Sequence, residues 1–397
     1  MKMKILSLDV SYRFPLFLHL SSFLLACCSD SVSLPAVNVT IFAAGIDAVC
    51  VRFPAITQVG NGTVLAFALC SDGPGDGCIS RTGPPNRNGI CMKKSYDSGR
   101  TWGELKIPCG GMAGSQPTVV YDSVNRTTIL MGCLGGHIYS YDDGETWLGR
   151  PGQPFKGHIR PWHCPLNRSW MGTVACIWGG HGPSTFPEDF RGPGRGLQLK
   201  RGPKAGRILF ISGGVVHYSD DHGLTFNAST MTNTSWPGAS ESQLVELSNG
   251  TVAAYCRSSW TLPHGGKVVM HSDDSGLTFG PMFFDMGLSF PGSNPNVMSS
   301  IVSFDRDDAP TSEIFFSAPL NAGRDHMTVH KSSDDTKTWN ESVVVEVGHS
   351  VYSCLTTLPA DDLMGILWES GSGCTKNASG AICRLAFTAF PRSMKRK

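Results

Sequence analysis

The stretch SYDSGRTW, residues 95–102, is the first of four copies of the pattern Ser-x-Asp-x-Gly-x-Thr-Trp/Phe in this chain. The other copies begin at Ser140, Ser219 and Ser272, and a fifth copy, beginning at Ser332, has Thr336 in place of the glycine. Successive copies begin 45, 79, 53 and 60 residues apart. These spacings are one to two propeller-blade lengths and do not fit a helical repeat. The chain is therefore predicted to be built from internal repeats.

Each residue type of the repeat suits a tight turn between strands. Asp and Ser side chains bond nearby backbone groups, Gly takes up a positive φ, and the Thr-aromatic pair returns the chain into a strand with a ring to bury. Runs rich in β-branched and aromatic residues precede the copies, for example at 90–92, 136–139 and 215–218, and such runs favour strands. Taken alone, the repeats predict a scaffold and no chemistry.

Composition gives the fold class. The 397 residues include 46 Gly and 25 Pro, with 9% aromatic and 16% charged residues, and helical periodicity of any length is missing. We predict an all-β fold, a six-bladed β-propeller in which about six four-stranded blades use roughly 60 residues each. One domain is expected to cover residues 32–397. The Gly- and Pro-rich segment Gly179 to Lys204 is predicted to be a long loop on one face.

The first 31 residues predict export. Lys2 and Lys4 precede an apolar stretch from Phe14 to Ala26, which is too short for a comfortable membrane span and typical of a secretory signal peptide. The expected location is the secretory pathway, with a secreted or lysosomal product. If the source is bacterial, Cys27 is an alternative lipid-attachment site.

Cysteines and glycosylation sequons point to the same compartment. Beyond the signal segment lie 12 cysteines with no CxxC pair, which favours disulfides over metal binding. Proximity in sequence suggests the pairs Cys78–Cys91, Cys109–Cys133 and Cys164–Cys176. Nine N-x-S/T sequons begin at Asn38, Asn61, Asn125, Asn167, Asn227, Asn233, Asn249, Asn340 and Asn377. A net charge of +1 argues against a nucleic-acid surface.

Five further segments lie outside the repeats. They are VRFP at 51–54, GPGRGLQL at 192–199, ESQLVEL at 241–247 leading to Arg257, RDHMTV at 324–329, and VYSCL at 351–355 with LWE at 367–369. Their order, interleaved with the repeats, resembles the sialidases of the neuraminidase superfamily over nearly the whole chain after residue 31. The resemblance implies a propeller fold and exo-α-sialidase activity without a metal or other cofactor. The implied partners are sialylated glycoproteins, glycolipids and oligosaccharides.

The resemblance implies that Arg52, Arg257 and Arg324 bind the carboxylate of a terminal sialic acid. Guanidinium groups suit this role because they bind carboxylates bidentately and keep their charge. Since three cations in one cleft repel each other, Glu369 is implied as the partner that holds Arg52. For any one arginine alone, an ordinary surface ion pair is the favoured interpretation, but the set of three in family order argues against it.

Tyr352 is implied as the nucleophile and Glu241 as its general base. Sialidases use tyrosine where most glycosidases use a carboxylate, and a neutral phenol avoids repulsion by the carboxylate on the anomeric carbon. A phenol with a pKa near ~10 needs a base to attack at neutral pH. The structural alternatives are a core Tyr352 with a satisfied hydroxyl and a turn Glu241 beside Ser240.

The acid/base carboxyl is where the chain departs from the family pattern. After the strand that ends near Ala68, two aspartates compete for the role, and distance from the strand favours Asp76 over Asp72. Both are also compatible with plain turn residues in a Gly-Pro loop. The main prediction is a retaining exo-α-sialidase. A trans-sialidase, or a propeller that binds sialic acid without turnover, is the alternative.

Overall fold

The computed structural model describes fourteen stretches of the chain: residues 39–60, 62–71, 88–109, 114–133, 136–149, 192–212, 215–231, 241–257, 267–288, 297–305, 311–321, 323–372, 374 and 382–394. The signal segment, Cys27, Asp72 and Asp76 lie outside these residues, as do Cys78, Cys164 and Cys176. The domain boundary after residue 31 therefore stays a prediction. No helix in the described part of the chain has the length and apolar character needed to cross a bilayer.

β-Strands are the main regular structure of the described chain, and its only helical segments are two short 3₁₀ turns, so the predicted all-β class is confirmed. The first three sheets come in chain order. They comprise β2 (Cys50–Val59), β3 (Thr63–Ser71) and β4 (Asn88–Ser95); then β5 (Gly114–Asp122), β6 (Thr127–Cys133), β7 (Gly136–Ser140) and β8 (Gly194–Arg195); then β9 (Leu197–Gln198), β10 (Ile208–Ser212), β11 (Val215–Ser219) and β12 (Asn227–Ala228). A small parallel pair joins β13 (Thr230–Met231) to β17 (Thr278–Phe279).

Two further sheets complete the described strands. One comprises β14 (Ser242–Glu246), β15 (Val252–Cys256), β16 (Lys267–Ser272) and β18 (Phe283–Asp285). The other is seven-stranded and comprises β1 (Val39–Ala43), β19 (Ser300–Phe304), β20 (Glu313–Pro319), β21 (Asp325–Ser332), β22 (Glu341–Leu358), β23 (Leu363–Ser370) and β24 (Arg384–Pro391). Short 3₁₀ turns lie at Met286–Leu288 and Pro359–Asp361.

The seven-stranded sheet is two units that share the long strand β22. The first part of β22 pairs with β21, and its last nine residues, 350–358, pair with β23. The amino-terminal strand β1 pairs with β24 at the far edge. Counted in this way, these strands form six units, because β19 to β21 and β23, β24 and β1 each complete one half of β22. Pairing within the units is antiparallel except between β5 and β8.

Buried apolar side chains fill the space between consecutive units. Phe67 of the first unit and Leu130 of the second share one cluster, and Phe316 of the fifth unit packs with Tyr255 of the fourth. A cluster of the same kind joins the last unit to the first through Leu367 and Val51. Strands of neighbouring units also contact each other directly: β2 of the first unit contacts β5 of the second unit and β22 of the last unit. The closed six-bladed ring is our interpretation of these contacts.

The repeats form the turns that the sequence predicts. In the first copy, the amide of Gly99 donates to Ser95 Oγ over 2.8 Å, and the amide of Thr101 donates to Asp97 Oδ1 over 2.8 Å. The glycines of the four intact copies have φ between 82° and 87°. Thr336 of the fifth copy adopts the same left-handed conformation, with φ of 65°, and its amide bonds Ser332 Oγ. The turn therefore forms even without its glycine.

Each repeat glycine also lies against the preceding unit. A Cβ on Gly99 would approach Phe387 of β24 to 2.0 Å, and one on Gly223 would approach Ile129 of β6 to 2.4 Å. The same holds for Gly144 against Leu65. The glycine is thus required both for its φ and because a neighbouring core side chain occupies the place of a Cβ. The repeats join adjacent sheets as well as strands.

Two sequence predictions need correction. Cys91 bonds to Cys70 and not to Cys78, because Cys70 lies on β3 two residues from Ala68, the residue paired with Cys91. The Cys109–Cys133 pair is confirmed, and Cys374–Cys383 was not foreseen. The segment predicted as one long loop contains β8 and β9. Gly196 permits this, because a Cβ there would meet the Leu209 carbonyl oxygen at 2.9 Å.

Four sequon asparagines in the described part of the chain are exposed to solvent: Asn125, Asn227, Asn249 and Asn340. The exposure leaves them accessible to an attached sugar. Glycosylation itself stays a prediction.

We expect Gly99→Ala to destabilise the protein more than Gly202→Ala. Both glycines have positive φ, 87° and 71°, but a Cβ on Gly202 would meet nothing within 4 Å. Backbone strain should cost each variant about 1 kcal/mol, and overpacking against Phe387 should cost Gly99→Ala a further ~1–3 kcal/mol. Urea unfolding of both variants measures the difference. Equal midpoints would show that the turn does not pack against the preceding sheet.

Candidate active site

The described site residues that the sequence predicts lie on strands of several units or directly beside them. Arg52 is the third residue of β2, and Glu241 directly precedes β14. Tyr352 and Glu369 lie on the paired strands β22 and β23. Arg257 directly follows β15, and its amide donates to the Glu241 carbonyl over 3.1 Å. Residues up to 317 positions apart in sequence therefore meet at one place.

Tyr352, Glu241 and Arg257 form one hydrogen-bonded group. The Tyr352 hydroxyl donates to Glu241 Oε1 over 2.6 Å, and Arg257 Nη1 donates to the same hydroxyl over 2.8 Å. Arg257 Nη1 also bonds the second carboxylate oxygen of Glu241. The phenol thus donates its proton to a carboxylate while a guanidinium lies on its oxygen. This is the arrangement needed to remove the phenolic proton and stabilise the charge that remains.

Burial keeps the Tyr352 phenol protonated in the resting protein. Its side chain is almost fully buried, and desolvation raises the pKa above the usual range for tyrosine. The negative charge of Glu241 raises the pKa further, and Arg257 opposes it only in part. Burial alone would lower the Arg257 pKa, but Glu241 and Tyr352 outweigh this and raise it. Tyr352 is therefore a neutral group next to a base.

Glu369 joins the Arg52–Phe53 segment of β2 to the backbone of Tyr352. Its Oε1 accepts hydrogen bonds from Arg52 Nε over 2.6 Å and from the Phe53 amide over 2.8 Å. Its Oε2 accepts one from the Tyr352 amide over 3.2 Å. The carboxylate is completely buried, where a charge persists only if it is paired and hydrogen-bonded. Phe53 adopts a positive φ of 58°, and its bond to Glu369 helps hold this uncommon conformation.

Arg52 also contacts the aromatic side of the site. Its guanidinium carbon lies 5.5 Å from the centre of the Tyr352 ring and 5.1 Å from that of Phe53. The two rings are 5.6 Å apart. Arg52 is thus fixed by a carboxylate on one side and by two rings on another, which leaves little freedom for its side chain.

Arg324 is connected to the site by a backbone hydrogen bond. It directly precedes β21, and its carbonyl oxygen accepts a hydrogen bond from the Ser350 amide over 2.8 Å. Ser350 is two residues from Tyr352 on β22. Arg324 is partly exposed and has a φ of 55°, and His326 in the same turn has a φ of 56°. Such strained turns cluster at functional sites.

The sequence did not single out Lys267, which adjoins the same group. Its side chain is buried, and Nζ donates to the Val297 carbonyl over 2.9 Å. Desolvation and the charge of Arg257 lower its pKa to about 7, while Cys256 and Glu241 act in the opposite direction. The one sequence feature that could have indicated a buried lysine here is its position at the start of the apolar run KVVM.

The described residues offer no arrangement of three or more His, Cys, Asp or Glu side chains that could hold a metal ion. Asp72 and Asp76 follow the end of β3, where Ser71 pairs with Cys50, two residues from Arg52. The two aspartates themselves lie outside the described residues, so their roles stay predictions.

Comparisons with known proteins identify relatives of this chain. A family profile described as "BNR repeat-like domain" matches residues 205–364. Over 344 residues, the chain is 31% identical to a protein named "Sialidase" from Micromonospora viridifaciens. The match covers 81% of this chain and 50% of that protein, so the chain spans about half the length of this curated relative.

Solved structures show the same fold at low sequence identity. The intramolecular trans-sialidase from Ruminococcus gnavus has a TM-score of 0.65 at 18% identity, covering 89% of this chain and 97% of that one. The NanB sialidase from Streptococcus pneumoniae has a TM-score of 0.64 at 16% identity, with coverage of 91% and 72%. The leech intramolecular trans-sialidase has a TM-score of 0.63 at 18% identity, with coverage of 90% and 70%.

The lowered pKa of Lys267 predicts a pH dependence of stability. The folded protein has a pKa of about 7 at this lysine, whereas the unfolded chain has the ordinary value near ~10.4. Between these values the unfolded chain binds more protons, so the free energy of unfolding should rise with pH. Lys267→Met should remove this rise, worth about 2 kcal/mol between roughly pH 7 and 9.

Denaturant unfolding at several pH values measures this effect as the difference between wild type and variant. Lys106→Met is the control, because this lysine is exposed. A difference between wild type and Lys267→Met that stays constant with pH would contradict the prediction.

Proposed function

The chain belongs to the sialidase superfamily, and on this premise we propose that it is an exo-α-sialidase. Its substrates would be terminal sialic acids on glycoproteins, glycolipids or oligosaccharides, cleaved with retention of configuration. The observation that supports this most directly is the 2.6 Å hydrogen bond from the Tyr352 hydroxyl to Glu241, with Arg257 on the same oxygen. The curated relative named "Sialidase" supports the substrate class.

In the first step, the Tyr352 oxygen attacks the anomeric carbon while Glu241 accepts the phenolic proton. The glycosidic bond breaks, and the leaving oxygen takes a proton from an acid, which we assign to Asp76. A covalent tyrosyl-sugar results. In the second step, the same aspartate takes a proton from water, the water oxygen attacks the anomeric carbon, and Glu241 returns its proton to the departing phenolate. Two displacements at one carbon give retention.

Substrate binding would use the three arginines. Arg257 already bonds Glu241 and Tyr352, and its planar guanidinium, which carries five donors, suits bidentate binding of a substrate carboxylate. Arg52 is positioned for the same purpose by Glu369. Arg324 would complete the triad from the turn before β21. A neutral Tyr352 beside them can approach an anomeric carbon that already carries a carboxylate without like-charge repulsion.

We also propose that the protein functions in the secretory pathway or outside the cell. Disulfides persist in oxidising compartments, and the described chain contains the bonds Cys70–Cys91, Cys109–Cys133 and Cys374–Cys383. Cys50 is also disulfide-bonded. The apolar amino-terminal segment gives independent support.

Tyr352→Phe should abolish the release of 4-methylumbelliferone from its sialoside. Losing the nucleophile should lower kcat/KM by about 10³-fold or more. Tyr255→Phe is the matched control, because its buried hydroxyl also donates to a carboxylate, that of Asp285, over 2.9 Å. The control should keep its activity. Full activity in Tyr352→Phe would refute the mechanism, and binding of sialosides without release by wild type would indicate a binding module.

A product assay separates hydrolysis from transfer. Wild-type protein is incubated with a sialoside and excess lactose, and the products are separated. A hydrolase yields free sialic acid, whereas sialyllactose as the main product would indicate a trans-sialidase.

Asp76→Ala should impair substrates with poor leaving groups most. Loss of the general acid should slow cleavage of sialyllactose by about 10²–10⁴-fold. The aryl sialoside needs less protonation of its leaving oxygen and should suffer less. Asp72→Ala serves as the comparison, and it should retain activity on both substrates. The reverse pattern would assign the acid to Asp72.

A further inference from the structure

Lys267 is a buried lysine that the proposed mechanism does not use. The residue is only 3% exposed, although lysine is rarely buried to this extent. Its Nζ donates to the Val297 carbonyl over 2.9 Å and lies 5.9 Å from the centre of the Phe316 ring. Val297 is fully buried in the same apolar cluster as Tyr352. The hydrogen bond therefore holds the Lys267 amine beside the cluster that contains the proposed nucleophile.

Strand register places Lys267 in one row with Arg257 and Glu241. Cys256, the last residue of β15, pairs with the first residue of β14 and with the second residue of β16. Glu241 directly precedes β14, Arg257 directly follows β15, and Lys267 begins β16. Residues that lie opposite each other in an antiparallel pair point to the same face and are about 5 Å apart at Cβ. Glu241, Arg257 and Lys267 are called the charged row below.

Two further titratable groups adjoin Lys267. Asp285 of β18 is its partner across the strands, but this carboxylate accepts hydrogen bonds from the Tyr255 hydroxyl over 2.9 Å and from Trp339 Nε1 over 3.0 Å. Burial raises the pKa of Asp285, and it raises that of the Cys256 thiol to about 12. The thiol is therefore neutral, and both groups are poorly suited to balance a charge on Lys267.

The arginines that are proposed to bind the substrate already have carboxylate partners in two cases. Arg52 is paired with Glu369, and Arg257 is paired with Glu241. These four groups carry two positive and two negative charges, so together they present no net charge to an anionic ligand. A protonated Lys267 next to Arg257 makes the charged row net positive. Because the row is largely buried, salt screens its charges less than charges on the surface.

We propose that the positive charge of Lys267 strengthens the binding of the substrate carboxylate at the charged row. This role rests on the proposed function, since the ligand is the carboxylate of a sialic acid. Arg257 would contact that carboxylate, and Lys267 would act on it electrostatically from the next strand.

The role of Lys267 predicts that affinity depends on pH. Burial, and next the charge of Arg257, lower the pKa of Lys267 to about 7 in the free protein. A bound carboxylate favours the protonated amine and therefore raises this pKa. Binding should be strongest below the pKa of the free protein and should weaken as the pH rises and the amine loses its proton.

Binding of free sialic acid tests this role without requiring turnover. Calorimetry measures the dissociation constant at roughly pH 6 and roughly pH 9, a range in which the ligand carboxylate stays ionised. We expect wild type to bind about tenfold more weakly at the higher pH, as when a ligand raises the pKa of a nearby cation by about one. Lys267→Met should bind with the lower affinity at both pH values.

Two further variants separate charge from packing. Lys267→Gln keeps a donor for the Val297 carbonyl but removes the charge, so it should behave like Lys267→Met. Lys331→Met is the matched control, because Lys331 is also buried and lies 5.7 Å from the Phe315 ring. Lys331 is paired with Glu313, and its replacement should leave the pH dependence of wild type unchanged.

A measurement on wild type alone covers the case in which the Lys267 variants do not fold. Calorimetry in buffers of different ionisation enthalpy gives the number of protons taken up when sialic acid binds. If the ligand raises the pKa by about one, uptake should reach about half a proton midway between the free and bound values.

The outcomes for this role and for the proposed function differ. The same pH dependence in wild type and Lys267→Met, or binding without proton uptake, would overturn the role of Lys267 and leave the sialidase activity untouched. Binding with the expected pH dependence but without release of 4-methylumbelliferone would support the role and contradict the enzyme. A wild-type protein that does not bind sialic acid at either pH would contradict both.

Discussion

The buried carboxylate of Glu369 is the interaction on which the candidate site depends. It accepts hydrogen bonds from the Arg52 side chain and from the amides of Phe53 and Tyr352. One side chain on β23 thus fixes an arginine on β2 and the backbone of the predicted nucleophile on β22. A buried charge held in this way has little freedom to move without losing its partners. The geometry of the site is therefore built into the contact between the last and first sheets.

The repeats provide the framework that brings these strands together. Each repeat closes a turn through its Ser and Asp side chains and places its glycine against a core side chain of the preceding unit. The pattern that defines the fold in sequence therefore also sets the spacing between sheets. The described site residues lie on strands or directly beside them, so their relative positions follow from this spacing.

The sequence predicts the repeated turns, because their Ser and Asp side chains bond backbone groups only four residues away. The pairing of Glu369 with Arg52 was foreseen only through the family resemblance, since the two residues are 317 positions apart. Lys267 was missed because a lysine at the start of a strand is ordinarily exposed, and its burial depends on the Val297 carbonyl of another segment. Cys70–Cys91 was missed because strand register, and not distance along the chain, brings the two sulfurs together.

The continuous strand β22 has a consequence for how the protein loses structure. Its 18 residues end one unit and begin the next, so neither unit can detach as a separate module while the strand is intact. The strand β1 ties the same block to the beginning of the chain. Partial melting in this region should therefore involve both units together as one cooperative element. Since Tyr352 lies on β22, the residue proposed for chemistry belongs to a strand that can open only together with both units.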